Sequence, residues 1–157
     1  MDIFKLLVAI LICELAGGLG SIFNIKAIPR WYDKLKKPNF NPPNWIFGPV
    51  WTLLYLLMGI SLYFVLISSA NISLALIIFG IQLILNIFWS GIFFASHKPG
   101  WAFVEIIFMW IFIVLTLFVF YPISHIASYL LVPYLVWVSF ASVLNFYVWE
   151  LNKKSRK

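Results

Sequence analysis

The chain has 157 residues, 64% of them hydrophobic and only 10% charged, with a mean hydropathy of +1.01 and a formal net charge of +6. A soluble domain of this size needs far more charge on its surface, so the composition excludes an ordinary soluble fold and indicates a membrane protein. A lone cysteine, Cys13, excludes an intrachain disulfide, a CxxC redox pair and a cluster of thiolate ligands.

Five apolar runs reach the roughly 20 residues that a helix needs to cross hydrocarbon. They predict spans at about 6–25, 46–67, 72–94, 101–121 and 127–149, which consume nearly the whole chain. The expectation is an all-α integral membrane protein, one five-helix domain over 1–157 with no separate catalytic module. The first run is too long for a signal-peptide core and lacks a convincing small-residue cleavage site, so it reads as a retained span. Within it, Glu14 stands beside the small residues Ala16, Gly17, Gly18, Gly20 and Ser21. These permit close helix approach, and Glu14 is expected to meet an amide or tyrosine partner as a neutral group.

The first connection, 26–45, is expected to form a lid. Pro38, Pro42, Pro43 and Pro49 remove donors and fix φ, which makes the segment stiff and extended. It also carries Lys26, Arg30, Lys34, Lys36 and Lys37. Lys98 lies in the third connection, Lys153, Lys154, Arg156 and Lys157 lie in the tail, and only Lys5 is on the other side. The positive-inside rule therefore places the amino terminus outside and the first loop and carboxyl tail in the cytoplasm; four or six spans would divide the basic clusters. Clustering at the membrane edges accounts for the positive charge without nucleic acid as a partner.

Polar side chains in hydrocarbon mark inward faces. In the third span Gln82, Asn86, Trp89 and Phe93 follow one another at spacings of four, three and four. In the fifth, Pro133, Trp137, Ala141 and Asn145 are each four apart, and in the second Trp51 and Tyr55 are one turn apart. Three helices thus offer indoles with amides or a phenol nearby, which suits a large planar apolar ligand such as a tetrapyrrole. Its propionates would pair with Arg30, Lys34, Lys36 and Lys37 at the membrane edge. Trp101 and Trp149, at span ends, read as interfacial belt residues.

The remaining chemistry is sparse. Glu105, one turn into the fourth span, is expected to reach Lys98 or the headgroups. His97 and His125 fall in loops on opposite faces, which gives no shared metal site, and either alone reads as a solvated histidine rather than a haem ligand. No phosphate-cradling loop, Ser/His/Asp set or HExxH pair is visible, so hydrolase and nucleotide-driven chemistry have no basis.

The stretch WYDKLKKPNFNPPNWIFGPVWTLLY, Trp31 to Tyr55, resembles the signature of the TspO/MBR family, the tryptophan-rich sensory or translocator proteins that bind porphyrins and, in animals, cholesterol. LNIFWSGIFF, from Leu85, and PYLVWVSFASVLN, from Pro133, resemble that family's third- and fifth-helix patterns. The resemblance implies ligand contacts at Tyr32, Pro42, Trp51, Tyr55, Asn86, Trp89, Trp137 and Ala141, with protoporphyrin or haem as ligand and no required cofactor. It also implies a homodimer through the third helix. For some bacterial relatives it implies light- and oxygen-dependent porphyrin breakdown, with Trp51 and Trp137 as the oxidisable indoles; a receptor or sensor that returns its ligand intact is the primary expectation and a transporter the third. Leu144, Tyr147 and Lys153 fit the loose sterol-contact pattern, but Glu150 stands where animal members are basic. No organelle address is evident, and a prokaryotic plasma membrane is the expected location.

Overall fold

The computed structural model describes residues 2–153, so the tail residues Lys154, Arg156 and Lys157 lie outside the described part. The helices are α1 (Ile3–Arg30), α2 (Asn44–Leu66), α3 (Ser73–Ser90), α4 (Pro99–Phe120), α5 (His125–Leu130) and α6 (Val132–Asn152). α3 runs on through one π-helical turn, Gly91–Ala95, and α5 and α6 stack end to end as one span. Five helical units are therefore long and apolar enough to cross a membrane. In hydrocarbon each must satisfy its own backbone groups, which is why helices and not open strands occupy these runs.

Local chemistry sets the boundaries. Asp2 caps α1 by accepting from the Lys5 backbone N–H (3.1 Å), and Ser124 caps α5 by accepting from Ala127 N–H (3.3 Å). Pro99 sits in the first turn of α4, where a missing N–H costs nothing. Pro133 is placed likewise in the first turn of α6, so the final span restarts at Val132. The first helix extends to Arg30, past the expected end at 25, so Lys26 and Arg30 are helical and the connection to α2 is only 31–43. Apolar composition measures the buried length of a helix, and a lysine at the edge ends the former without ending the latter. His125, likewise, opens α5 and is not a loop residue.

The helices form a closed ring. α1 lies between α2 and α3, α3 packs on α4, α4 on α6, and α2 returns against α5. The α1–α2 crossing is set by Gly59, where an added Cβ would come within 2.5 Å of the Ile10 Cα. Ser61 then donates to the Ala127 carbonyl (2.6 Å), fastening α2 to α5 at the end of the bundle away from the first loop. α2 makes little contact with α6 itself. The first half of α2 and the middle of α6 border the cavity described next.

Candidate functional site

The cavity has a volume of about 480 Å³ and lies between α1, α2, α3 and α6, beneath the first connection. This is within the few hundred to about 1,000 Å³ typical of small-molecule sites. Trp51, Trp89 and Trp137 contribute its walls together with Tyr32, Tyr55 and Phe47. Trp51 stacks on Tyr55 (5.7 Å between ring centres) and lies 6.4 Å from Trp89, while Trp137 meets Phe47 edge-on at 6.0 Å.

Beneath these rings the polar side chains are bonded to one another. Tyr55 donates to Asn86 Oδ1, Asn86 Nδ2 donates to the Tyr134 hydroxyl (2.7 Å), and Tyr134 donates to Gln82 Oε1 (3.0 Å). Higher up, Trp89 Nε1 donates to Asn145 Oδ1 (3.0 Å), and Asn145 Nδ2 donates to the Pro99 carbonyl (2.7 Å). Each group is buried, so these bonds join four helices where an unpaired polar atom would be costly. The ring of Tyr55 lies where Gly17 leaves room on α1, and any Cβ there would collide with it.

The lid is held from both sides. Trp31 stacks on His97 at 4.4 Å, and His97 adopts the left-handed conformation (φ 55°) uncommon for a non-glycine residue. One 3-10 turn, Tyr32–Lys34, interrupts what was expected to be uniformly extended chain. Tyr32 is buried, donates to Asn41 Oδ1 (2.8 Å) and carries Lys37 Nζ 4.8 Å over its ring. Burial, and secondarily the Asp33 carboxylate, push its phenol up to about 12. At the far end of the lid Asn152 on α6 clasps the Lys36 backbone, accepting from its N–H (3.0 Å) and donating to its carbonyl (2.9 Å).

Of the residues singled out in the sequence, Tyr32, Trp51, Tyr55, Asn86, Trp89, Trp137 and Ala141 all border the cavity. Pro42 does not; it lies in the lid with its carbonyl taken by Asn41 Nδ2 (3.0 Å). Arg30, Lys34, Lys36 and Lys37 do not line it either. Arg30 is carried outward by the last turn of α1, and Lys37 is turned onto Tyr32 and the carbonyls of Asp33 and Leu35. On α6 the inward face is Tyr134, Val138, Ala141 and Asn145, and Pro133 is exposed. Tyr134 lies outside the strict four-residue series that begins at Pro133, although its own stripe repeats the four-three-four spacing of Gln82, Asn86, Trp89 and Phe93.

Three further expectations are corrected. Glu105 makes no bond to Lys98; both its carboxyl oxygens are buried and have no hydrogen-bond partner, because they face into the bundle from α4. Glu14 borders the cavity and makes no hydrogen bond to an amide or tyrosine among the described residues. Trp149 is not a belt residue like the 69%-exposed Trp101: it stacks on Phe103 (6.1 Å) and lies over Gly100. Among the described residues no three His, Cys, Asp or Glu side chains gather as metal ligands.

Sequence comparison matches the TspO/MBR family over residues 9–150. A tryptophan-rich protein TspO of Chlorobaculum tepidum is 45% identical over 154 residues, spanning 96% of this chain and 98% of its own. Its namesake in Archaeoglobus fulgidus is 44% identical, with 97% and 99% covered. The human translocator protein is 39% identical over 127 residues, covering 78% of this chain and 75% of that protein.

Proposed function

The chain belongs to the TspO/MBR family of integral membrane proteins, and from that premise we propose that it is a membrane receptor or sensor whose cavity binds a porphyrin-type tetrapyrrole. The observation that carries this reading is the aromatic cavity itself. Trp51, Trp89 and Trp137 present indoles from three helices to one space under the lid, and flat conjugated surfaces are what such walls hold best. Relatives bear the names tryptophan-rich sensory protein, in Cereibacter sphaeroides, and translocator protein. In this reading the lid seals the ring from water. Arg30, Lys34, Lys36 and Lys37 act on the propionates as a positive rim rather than as direct partners, since none borders the cavity.

The protein resides in a prokaryotic plasma membrane with its amino terminus outside and its first loop in the cytoplasm, the arrangement that the basic residues favour. It forms a homodimer through α3, whose outward face carries the exposed Leu74, Ile77, Ile84 and Phe88 around Gly80.

Titration of the detergent-purified protein with protoporphyrin in the dark, followed by tryptophan quenching and porphyrin absorbance, tests the reading. Saturable one-site binding with the spectrum recovered intact after illumination in air supports a receptor. Loss of the porphyrin spectrum that requires Trp51 and Trp137 would instead favour degradation. Absence of saturable binding refutes the porphyrin assignment.

A further inference from the structure

The polar groups that a ligand meets in this cavity are not the conspicuous ones. Asn86 and Asn145 are bonded on both sides of their amides, and Tyr55 is bonded to Asn86, so none of them needs a ligand. Two buried polar atoms at the cavity lack any protein partner: Oδ1 of Asn24 on α1 and Nε1 of Trp137 on α6. Asn24 makes no hydrogen bond at all among the described residues, so its Nδ2 is free to donate as well. It belongs to a stripe, Gly17, Ser21, Asn24 and Ile28, that faces the cavity at spacings of four, three and four. Ser21 is spent on the Gly18 carbonyl (2.7 Å), which leaves Asn24 as the open amide of that stripe.

The half-buried Asn24 thus keeps a buried, unpaired Oδ1, which is costly, and leucine would fill the same helical position without that penalty. We propose that Asn24 is the polar anchor for the ligand, pairing with a group that donates and accepts side by side, a protonated carboxylic acid or a carboxamide, while Trp137 Nε1 donates to a second acceptor. An ionised carboxylate satisfies Nδ2 but not Oδ1, and an ester does the same, so Asn24 selects for the neutral acid or amide. This rests on the cavity being a ligand site. For a porphyrin it means that one of the two propionic acids docks inside the rim, on α1, and the other is left to the positive rim of the lid.

The test uses protoporphyrin, its dimethyl ester and its diamide with the full chain in detergent, together with Asn24→Leu. The expected result, at a pH low enough to keep the propionic acids neutral, is that wild type binds the acid and the diamide roughly five- to tenfold more tightly than the ester, as the one extra hydrogen bond to Asn24 Oδ1 provides. Asn24→Leu should bind all three equally, and the ligand-free variant should melt at or above the wild-type temperature because an unpaired amide has been removed. Equal binding of acid and ester by wild type, as for an asparagine that is only hydrated, overturns the proposal. So does a clear loss of stability in ligand-free Asn24→Leu, which would mark Asn24 as structural. If wild type binds none of the three porphyrins, the porphyrin reading fails, and the melting comparison alone still decides whether Asn24 is an unspent amide.

Discussion

Tyr134→Phe should be the most informative conservative substitution in this protein. It removes one oxygen and almost no volume, so the core stays filled. That oxygen accepts from Asn86 (2.7 Å) and donates to Gln82 (3.0 Å), and all three residues are buried. Its loss leaves an Asn86 N–H and the Gln82 carbonyl unpaired among apolar helices. Unsatisfied buried groups cost about 1–3 kcal/mol each, but interhelical hydrogen bonds in membranes average nearer 0.6 kcal/mol because the separated helices find other partners. A total of about 1–3 kcal/mol follows. For a chain of this length that corresponds to a fall in melting temperature of roughly 3–10 °C, read by circular dichroism in one detergent. Tyr63→Phe is the control, since the Tyr63 hydroxyl only accepts a long bond from the Asp2 backbone (3.3 Å) at the edge of the bundle, and it should melt within about 2 °C of wild type. Adding Gln82→Leu to Tyr134→Phe deletes one of the orphaned groups and should restore part of the loss. A Tyr134→Phe variant as stable as wild type, or a double variant that is simply the sum of two losses, would refute the claim that this network ties α2, α3 and α6 together.

Other outcomes test the lid and the helix crossings. Asn152→Ala removes both bonds to the Lys36 backbone. Amide exchange at Lys36 should accelerate about five- to tenfold while the helices keep their protection, as expected for two exposed hydrogen bonds. The Tyr32 phenol, raised to about 12 by burial and Asp33, is still protonated in the folded lid when the unfolded chain begins to ionise near its usual value of 10. Its stabilising contribution is therefore complete below about pH 10 and is lost between about pH 10 and 12. Subtracting the Tyr32→Phe absorbance titration at 295 nm should reveal this one late phenol, and a difference titrating near 10 would contradict its burial. Gly59→Ala places a methyl group against the Ile10 backbone and should cost about 1–3 kcal/mol, whereas Gly48→Ala, which meets nothing within 4 Å, should be neutral or stabilising in the same melting assay.

The sequence made the spans and one wall of the cavity legible for a simple reason: amides and indoles are rare enough in apolar helices that their spacing exposes the inward face. Asn86, Trp89 and Gln82 mark that face, and all are buried. On α6 a strict interval of four drifts around a helix of 3.6 residues per turn. Such a series runs through Pro133, which is exposed, and misses Tyr134, which holds the centre of the network. The basic residues misled for a different cause. Charge density placed them near the membrane edge, but side-chain direction depends on where a helix ends, and α1 continues far enough to turn Arg30 away.

Hydrogen-bond capacity also separates two kinds of polar residue that look alike in a sequence. Asn86 and Asn145 bind helices together, and their amides are exhausted by Tyr55, Tyr134, Trp89 and Pro99. Asn24 has the same side chain but is only half-buried, and it has no hydrogen-bond partner among the described residues. An asparagine that holds helices together should lower stability when removed and leave ligand selectivity alone; one that waits for a ligand should do the reverse. Asn145→Leu and Asn24→Leu, melted side by side without ligand, should therefore move in opposite directions. Asn145→Leu strands the buried Trp89 Nε1, so its melting temperature should fall by several degrees, and equal falls in both variants would show that the pairing seen around these amides does not distinguish their roles.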